Sequence, residues 1–205
     1  MTSESVAQGQ SDATEFKERG LEAAFSINLK IFKAKVAARF GNRFPYWHFD
    51  LNCGCGINEK IGCIGSPLAF MRAVESVGLP HYFAGFCDIN DGFLRSLMSL
   101  EPIRDNTQCF SFHGENSALV EAIPDLIAKV ERPERAVGMV LSDPNGYAVP
   151  LDELAVLSQR CPGIDIAIHW NTRIRLLFRG HGWQFVDIDE AIAMLNKRHW
   201  LIREP

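Results

Sequence analysis

Apolar positions along this chain change their period in a regular way. Leu21, Phe25, Leu29, Phe32, Val36 and Phe40 recur at steps of three or four, which predicts one stripe of a helix ended by Gly41. Tyr46 to Asp50 is instead a short, nearly continuous apolar run, the pattern of a strand buried on both faces. It leads into the glycine turn Asn52-Cys53-Gly54-Cys55-Gly56. Gly65-Ser66-Pro67 then opens a helix over Leu68, Ala69, Phe70, Met71 and Val74, with Ser66 expected as its cap and Pro67 in its first position. His81 to Asp88 predicts a second strand, with Phe93, Leu94, Leu97 and Leu100 on the helix that follows. Cys109 to His113 predicts a third, followed by the helical stripe Leu119, Ile123, Leu126, Ile127 and Val130. Ala136 to Leu141 predicts a fourth, Leu151 to Gln159 a helix, Ile164 to Trp170 a fifth strand and Ala191 to Lys197 a last helix.

Strands separated by helices of this length predict an α/β fold, a Rossmann-like, doubly wound and mostly parallel sheet with helices on both faces. The 205 residues suffice for one domain with a large core. That domain is expected over residues 17–205, after a polar tail at 1–16. The tail has no apolar centre for a signal peptide and nothing downstream resembles a membrane span, so a cytoplasmic protein without membrane contact is expected. A net charge of -4 argues against a chain that coats nucleic acid indiscriminately, but leaves room for a local basic face. Lys30, Lys33, Lys35 and Arg39 supply one, and no acidic residue falls between Ala23 and Pro45. This face reads either as a solvated helix surface or as a contact for phosphates. The six cysteines fit no common zinc spacing, and Cys87 and Cys109 sit in apolar runs, so reduced thiols and no metal are expected.

In an open parallel sheet, ligands bind beyond the carboxyl ends of the strands. The residues delivered there are Asp50, Asp88, Glu115 with Asn116, Asp143 and Asn171. Each alone reads equally well as a turn or cap residue. Together they form a convergent polar set that stability does not explain, because clustered carboxylates repel one another and lose hydration. Gly54 and Gly56 allow a ligand to approach the backbone closely.

Asp50-Leu51-Asn52-Cys53-Gly54-Cys55-Gly56 resembles the first motif of class I S-adenosylmethionine-dependent methyltransferases, Asp-Leu-Gly-x-Gly-x-Gly, with Asn52 where the first glycine usually stands. The resemblance implies that S-adenosylmethionine lies across Asp50, Asn52, Gly54 and Gly56, its ribose at Asp88 and its adenine at Glu115 and Asn116. It places Asp143, Pro144 and Asn145 on the fourth-strand motif, which in adenine and cytosine amino-methyltransferases reads Asp/Asn-Pro-Pro-Tyr/Phe. These three are therefore the implied catalytic residues, with a flipped nucleic-acid base as the implied acceptor. Lys30, Lys33, Arg173 and Arg175 are the matching phosphate contacts.

More narrowly, Gly65-Ser66-Pro67-Leu68, Asp143-Pro144-Asn145-Gly146-Tyr147 and Val149-Pro150 are similar to motifs of the three-Cys-motif partner proteins, in the same order and spacing from about Asp50 to Arg175. Asn52 and Asn145 depart from the methyltransferase pattern. They support the alternative expectation of a catalytically degenerate, cofactor-binding partner subunit of a larger complex. A nicotinamide oxidoreductase is a third reading, disfavoured by the phase of the glycine turn and the Asp-Pro after the fourth strand. The chain stops soon after Arg203 without the long antiparallel hairpin that usually closes such a sheet, so the reading leaves open whether that hairpin is missing from this chain or a protein partner supplies the edge.

Overall fold

The computed structural model describes residues 13–41, 43–58, 63–143 and 149–168. These all belong to one compact unit. The predicted strand end at Trp170, the last helix at Ala191 to Lys197 and the segment after it lie outside the described residues, as does most of the tail. The first helix, α1 (Ala13–Phe32), begins inside the stretch read as tail.

Five strands form one sheet: β1 (Tyr46–Asp50), β4 (Tyr82–Asp88), β5 (Cys109–His113), β6 (Val137–Ser142) and β7 (Ile164–Ile168). Their order is β5-β4-β1-β6-β7 and every pairing is parallel. The fold is Rossmann-like α/β. Between β1 and β6 the winding reverses direction, which makes that gap the topological switch point. The loop after β1 carries an antiparallel hairpin, β2 (Ile57–Asn58) with β3 (Cys63–Ile64), where the sequence predicts only a loop.

Alternation along the strands divides the core. On one face Tyr46, Ala84, Phe86, Met139 and Leu141 pack with α1, α3 (Ser66–Val77) and α4 (Asp91–Met98). Phe25 and Phe32 of α1 meet the rings of His48 and Tyr46, and both Phe25 and His48 meet Phe70 of α3. The opposite face presents Trp47 and Phe49. There Trp47 Nε1 donates to Glu131 Oε1 at 2.7 Å, just past α5 (Asn116–Ala128), which packs against α6 (Leu151–Arg160). Helices thus cover both faces.

The stripe predicted for the first helix holds only through Phe32. A π-helical turn, Lys33–Ala37, precedes α2 (Ala38–Phe40). Its extra residue per turn rotates later residues off the stripe, leaving Val36 half-buried and Phe40 exposed. Phe93 and Val130 are likewise exposed, Val130 because α5 ends at Ala128. Among the described residues no helix is long and apolar enough to cross a membrane.

Candidate functional site

The switch point gathers three acids, from β4, β1 and β6 in turn. Asp50, Asp143 and Asp88 each stand at the carboxyl end of a strand, and the first two are buried. Asp50 is enclosed completely, with Oδ1 accepting the Asn52 N–H at 3.1 Å and Oδ2 accepting the Ser66 hydroxyl at 2.5 Å. It therefore pins the glycine turn to the start of α3. Ser66 is not the cap expected from sequence: Gly65 occupies the cap position, and Ser66, one residue on, turns its hydroxyl to Asp50.

Asp88 holds the far side of the same turn. Its Oδ2 accepts the Gly54 N–H at 3.0 Å and its Oδ1 accepts the Asn90 N–H at 2.8 Å. Both oxygens are fixed in direction, and each keeps a lone pair for a further donor. Backbone bonds close the frame, Cys53 N–H to the Cys87 carbonyl at 3.0 Å and Leu51 N–H to the Leu141 carbonyl at 2.9 Å.

The two glycines serve different needs. Gly54 has φ +61°, and among the described residues a Cβ there would meet nothing within 4 Å, so this part of the turn is bare of described neighbours. Gly56 has φ +81°, and a Cβ would strike Leu97 Cδ1 at 2.6 Å. Gly56 is demanded by packing, whereas Gly54 leaves the backbone bare of a side chain. Asn52, half-buried between them and β1, leaves its Oδ1 buried with no hydrogen-bond partner. An orphan acceptor of this kind costs about 1–3 kcal/mol unless a ligand supplies a donor.

Glu115 caps α5 through its backbone position and is exposed, and Asn116 begins the helix half-buried. Both follow β5, next to Asp88 in the sheet. Ile89, immediately after Asp88, is 47% exposed, and its carbonyl lies 3.1 Å from His113 Nε2. Ile89 is an exposed apolar side chain next to Asp88 that the sequence alone does not single out. Cys53 and Cys87 flank the turn, and burial raises both thiols, Cys87 to about 12, so they stay protonated and are poor nucleophiles. Among the described residues no three His, Cys, Asp or Glu side chains group as metal ligands.

Of the predicted phosphate contacts, Lys33 does not join this site. Phe32 packs on Tyr46, the first residue of β1, and Lys33 Nζ donates to the carbonyls of Val77 at 2.6 Å and Gly78 at 3.2 Å. Lys33 closes the carboxyl end of α3, at the amino edge of the sheet, whereas Asp50 stands at the opposite end of β1, about 13 Å along the strand from Tyr46. Lys30, one turn before, is exposed. Pro144, Asn145, Asn171, Arg173 and Arg175 lie outside the described residues.

No family model matches the chain, and no curated protein matches it by sequence. Among solved structures it is similar to protein LPL1258 of Legionella pneumophila, assigned to family DUF519, with a TM-score of 0.53 and 12% identity over 78% of this chain and 71% of that one. At that identity the likeness shows the fold. A loganic acid methyltransferase solved with SAH aligns at a TM-score of 0.35 and 11% identity, over 66% of this chain. The chain spans 39% of that enzyme's length, and so distant a match carries no argument.

Proposed function

We propose that this chain binds S-adenosylmethionine at the glycine turn and transfers its methyl group to an amine, with the exocyclic amine of a nucleic-acid base as the acceptor class. The observation that carries the reading is Asp88. A carboxylate held by the Gly54 and Asn90 N–H groups, with a lone pair left on each oxygen, suits a pair of ribose hydroxyls. Ile89, with Glu115 and Asn116 beyond it, suits an adenine ring stacked on one face and hydrogen-bonded at its edge. The orphan Asn52 Oδ1 suits the ammonium group of the methionine portion. Asp50, enclosed by its own partners, positions the turn and is not a direct ligand in this reading.

The bound cofactor would supply an already activated methyl, so the protein's part is alignment. Asp143, 9% exposed at the end of β6 beside β1, would accept a hydrogen bond from the amine and so turn its lone pair toward the methyl. Pro144 and Asn145 would continue this contact. Arg173 and Arg175 remain the candidate phosphate contacts, and Lys33, bound to α3, is not proposed as one.

Asn52, in place of a glycine, favours a second reading, a partner subunit that binds the cofactor without turnover. The closer likeness to three-Cys-motif partner proteins rests on sequence motifs alone. A tritiated-methyl transfer assay over DNA, RNA and small amines separates the two. Label transferred by the wild type and lost in Asp143→Ala supports the enzyme; cofactor binding without label supports the partner subunit; label undiminished in the variant removes Asp143 from the reaction.

A further inference from the structure

α1 buries Phe25, Leu29 and Phe32 and turns a second apolar stripe outward. Ala23, Ile27 and Ile31 recur at steps of four on its exposed side, Ile27 at 60% and Ile31 at 57% exposure. Exposed Lys30 and Lys35 flank the stripe, and no acid occurs from Ala23 to Pro45. Solvated helix faces ordinarily carry polar residues, so an apolar ridge with cations on its flanks marks an interaction surface.

The other face of the sheet carries its complement. α5 and α6 leave a groove of about 260 Å³, with Val120, Pro124, Val156 and Leu157 in its lining and Glu121, Asp152 and Glu153 among them. Val156 is 55% exposed there. Arg160, a cation in the lining, is paired with Asp125 at 3.3 Å. The ridge is flanked by cations and the groove is lined by acids, so the two surfaces match in apolar character and in charge. The five-stranded sheet lies between them, so they cannot meet within one molecule.

We propose that α1 of one copy of this chain seats in the α5/α6 groove of a second copy. The contact joins two different patches, which makes it heterologous: each copy in a pair leaves one ridge or one groove free, and further copies add head to tail. A single helix in a short groove is at the small end of interface sizes, so the association is weak and concentration-dependent. Its flanking charges make it weaker at high salt.

Sedimentation velocity of the full chain, from low to high micromolar at low and high salt, tests this. Wild type should shift from monomer to dimer and larger species. Ile31→Asp, which spoils the ridge, and Val156→Asp, which spoils the groove, should each weaken association by about tenfold or more. Both positions are exposed, and circular dichroism checks that the folds are kept. The two variants mixed should form a complex that stops at the dimer, because one retains its groove and the other its ridge. Should either fail to fold, Lys30→Glu and Glu153→Lys replace them, each weakening association alone and restoring it when mixed. Wild type that stays monomeric throughout, association that the variants leave unchanged, or mixtures that stay monomeric would overturn the proposal.

Discussion

His48 predicts an acid-sensitive core. Its ring is fully enclosed, stacked on Phe70 at 4.0 Å and edge-on to Phe25 at 5.1 Å, with Phe86 at 6.5 Å and Met139 paired beside it in the sheet. Neither ring nitrogen has a hydrogen-bond partner. Burial pushes the imidazole down to about 3, so it is neutral in the folded chain. In the unfolded chain it returns to about 6.5. Between these values the unfolded state takes up a proton that the folded state refuses, so this contribution is full only well above about pH 6.5 and falls as the pH drops through and below it. From this residue the loss is about 0.2 kcal/mol at pH 7 and about 2 kcal/mol at pH 5.

Other carboxylates also titrate there, so the comparison must be differential. Urea unfolding followed by circular dichroism at pH 7, 6 and 5 should show wild type losing about 2 kcal/mol more than His48→Phe across that range. The phenyl ring has nothing to protonate and removes two unpaired nitrogens, although the fit of the larger ring sets the absolute stability at pH 7. Only the pH-dependent difference is diagnostic. Parallel stability curves for the two proteins would refute the reasoning.

Three further outcomes follow from the turn. Gly56→Ala should cost about 2–4 kcal/mol in urea unfolding, since it combines the strain of its φ of +81° with a Cβ that meets Leu97 at 2.6 Å, whereas Gly54→Ala, strained only by its φ of +61°, should cost about 1 kcal/mol and instead impair the proposed cofactor binding. Equal costs at the two positions would argue against the division of roles between them. Ser66→Ala should destabilise by about 1–3 kcal/mol, because it strips a donor from the enclosed Asp50; a change near zero would show that Asp50 does not depend on it. Elemental analysis of protein purified without chelator should show well under one equivalent of zinc or iron, and a stoichiometric metal that survives dialysis would contradict this.

How much of this was legible in the chain depends on which interactions set each feature. Buried strands are announced by local composition, so Tyr46 to Asp50, Tyr82 to Asp88 and Cys109 to His113 could be read directly, and alternation with helices fixed the sheet type. The acids at strand ends were legible for the same reason. What escaped was set by contacts between distant residues. The π-helical turn exposes Phe40, and the reach of Lys33 to the end of α3 removes it from the expected phosphate surface. The bond from Ser66 to Asp50 spans 16 positions, and no local rule distinguishes it from a cap. The orphan nitrogens of His48 were invisible because its strand pattern reads the same with any buried side chain.

The central claim is that Asp88 and the glycine turn bind S-adenosylmethionine. Isothermal titration of the purified protein with that cofactor tests it most directly, beside Asp88→Ala checked for its fold. Saturable one-site binding that the variant weakens by about 1.5–3 kcal/mol, roughly 10- to 150-fold, is predicted. Absence of saturable heat with folded wild type, or unchanged affinity in Asp88→Ala, would contradict it.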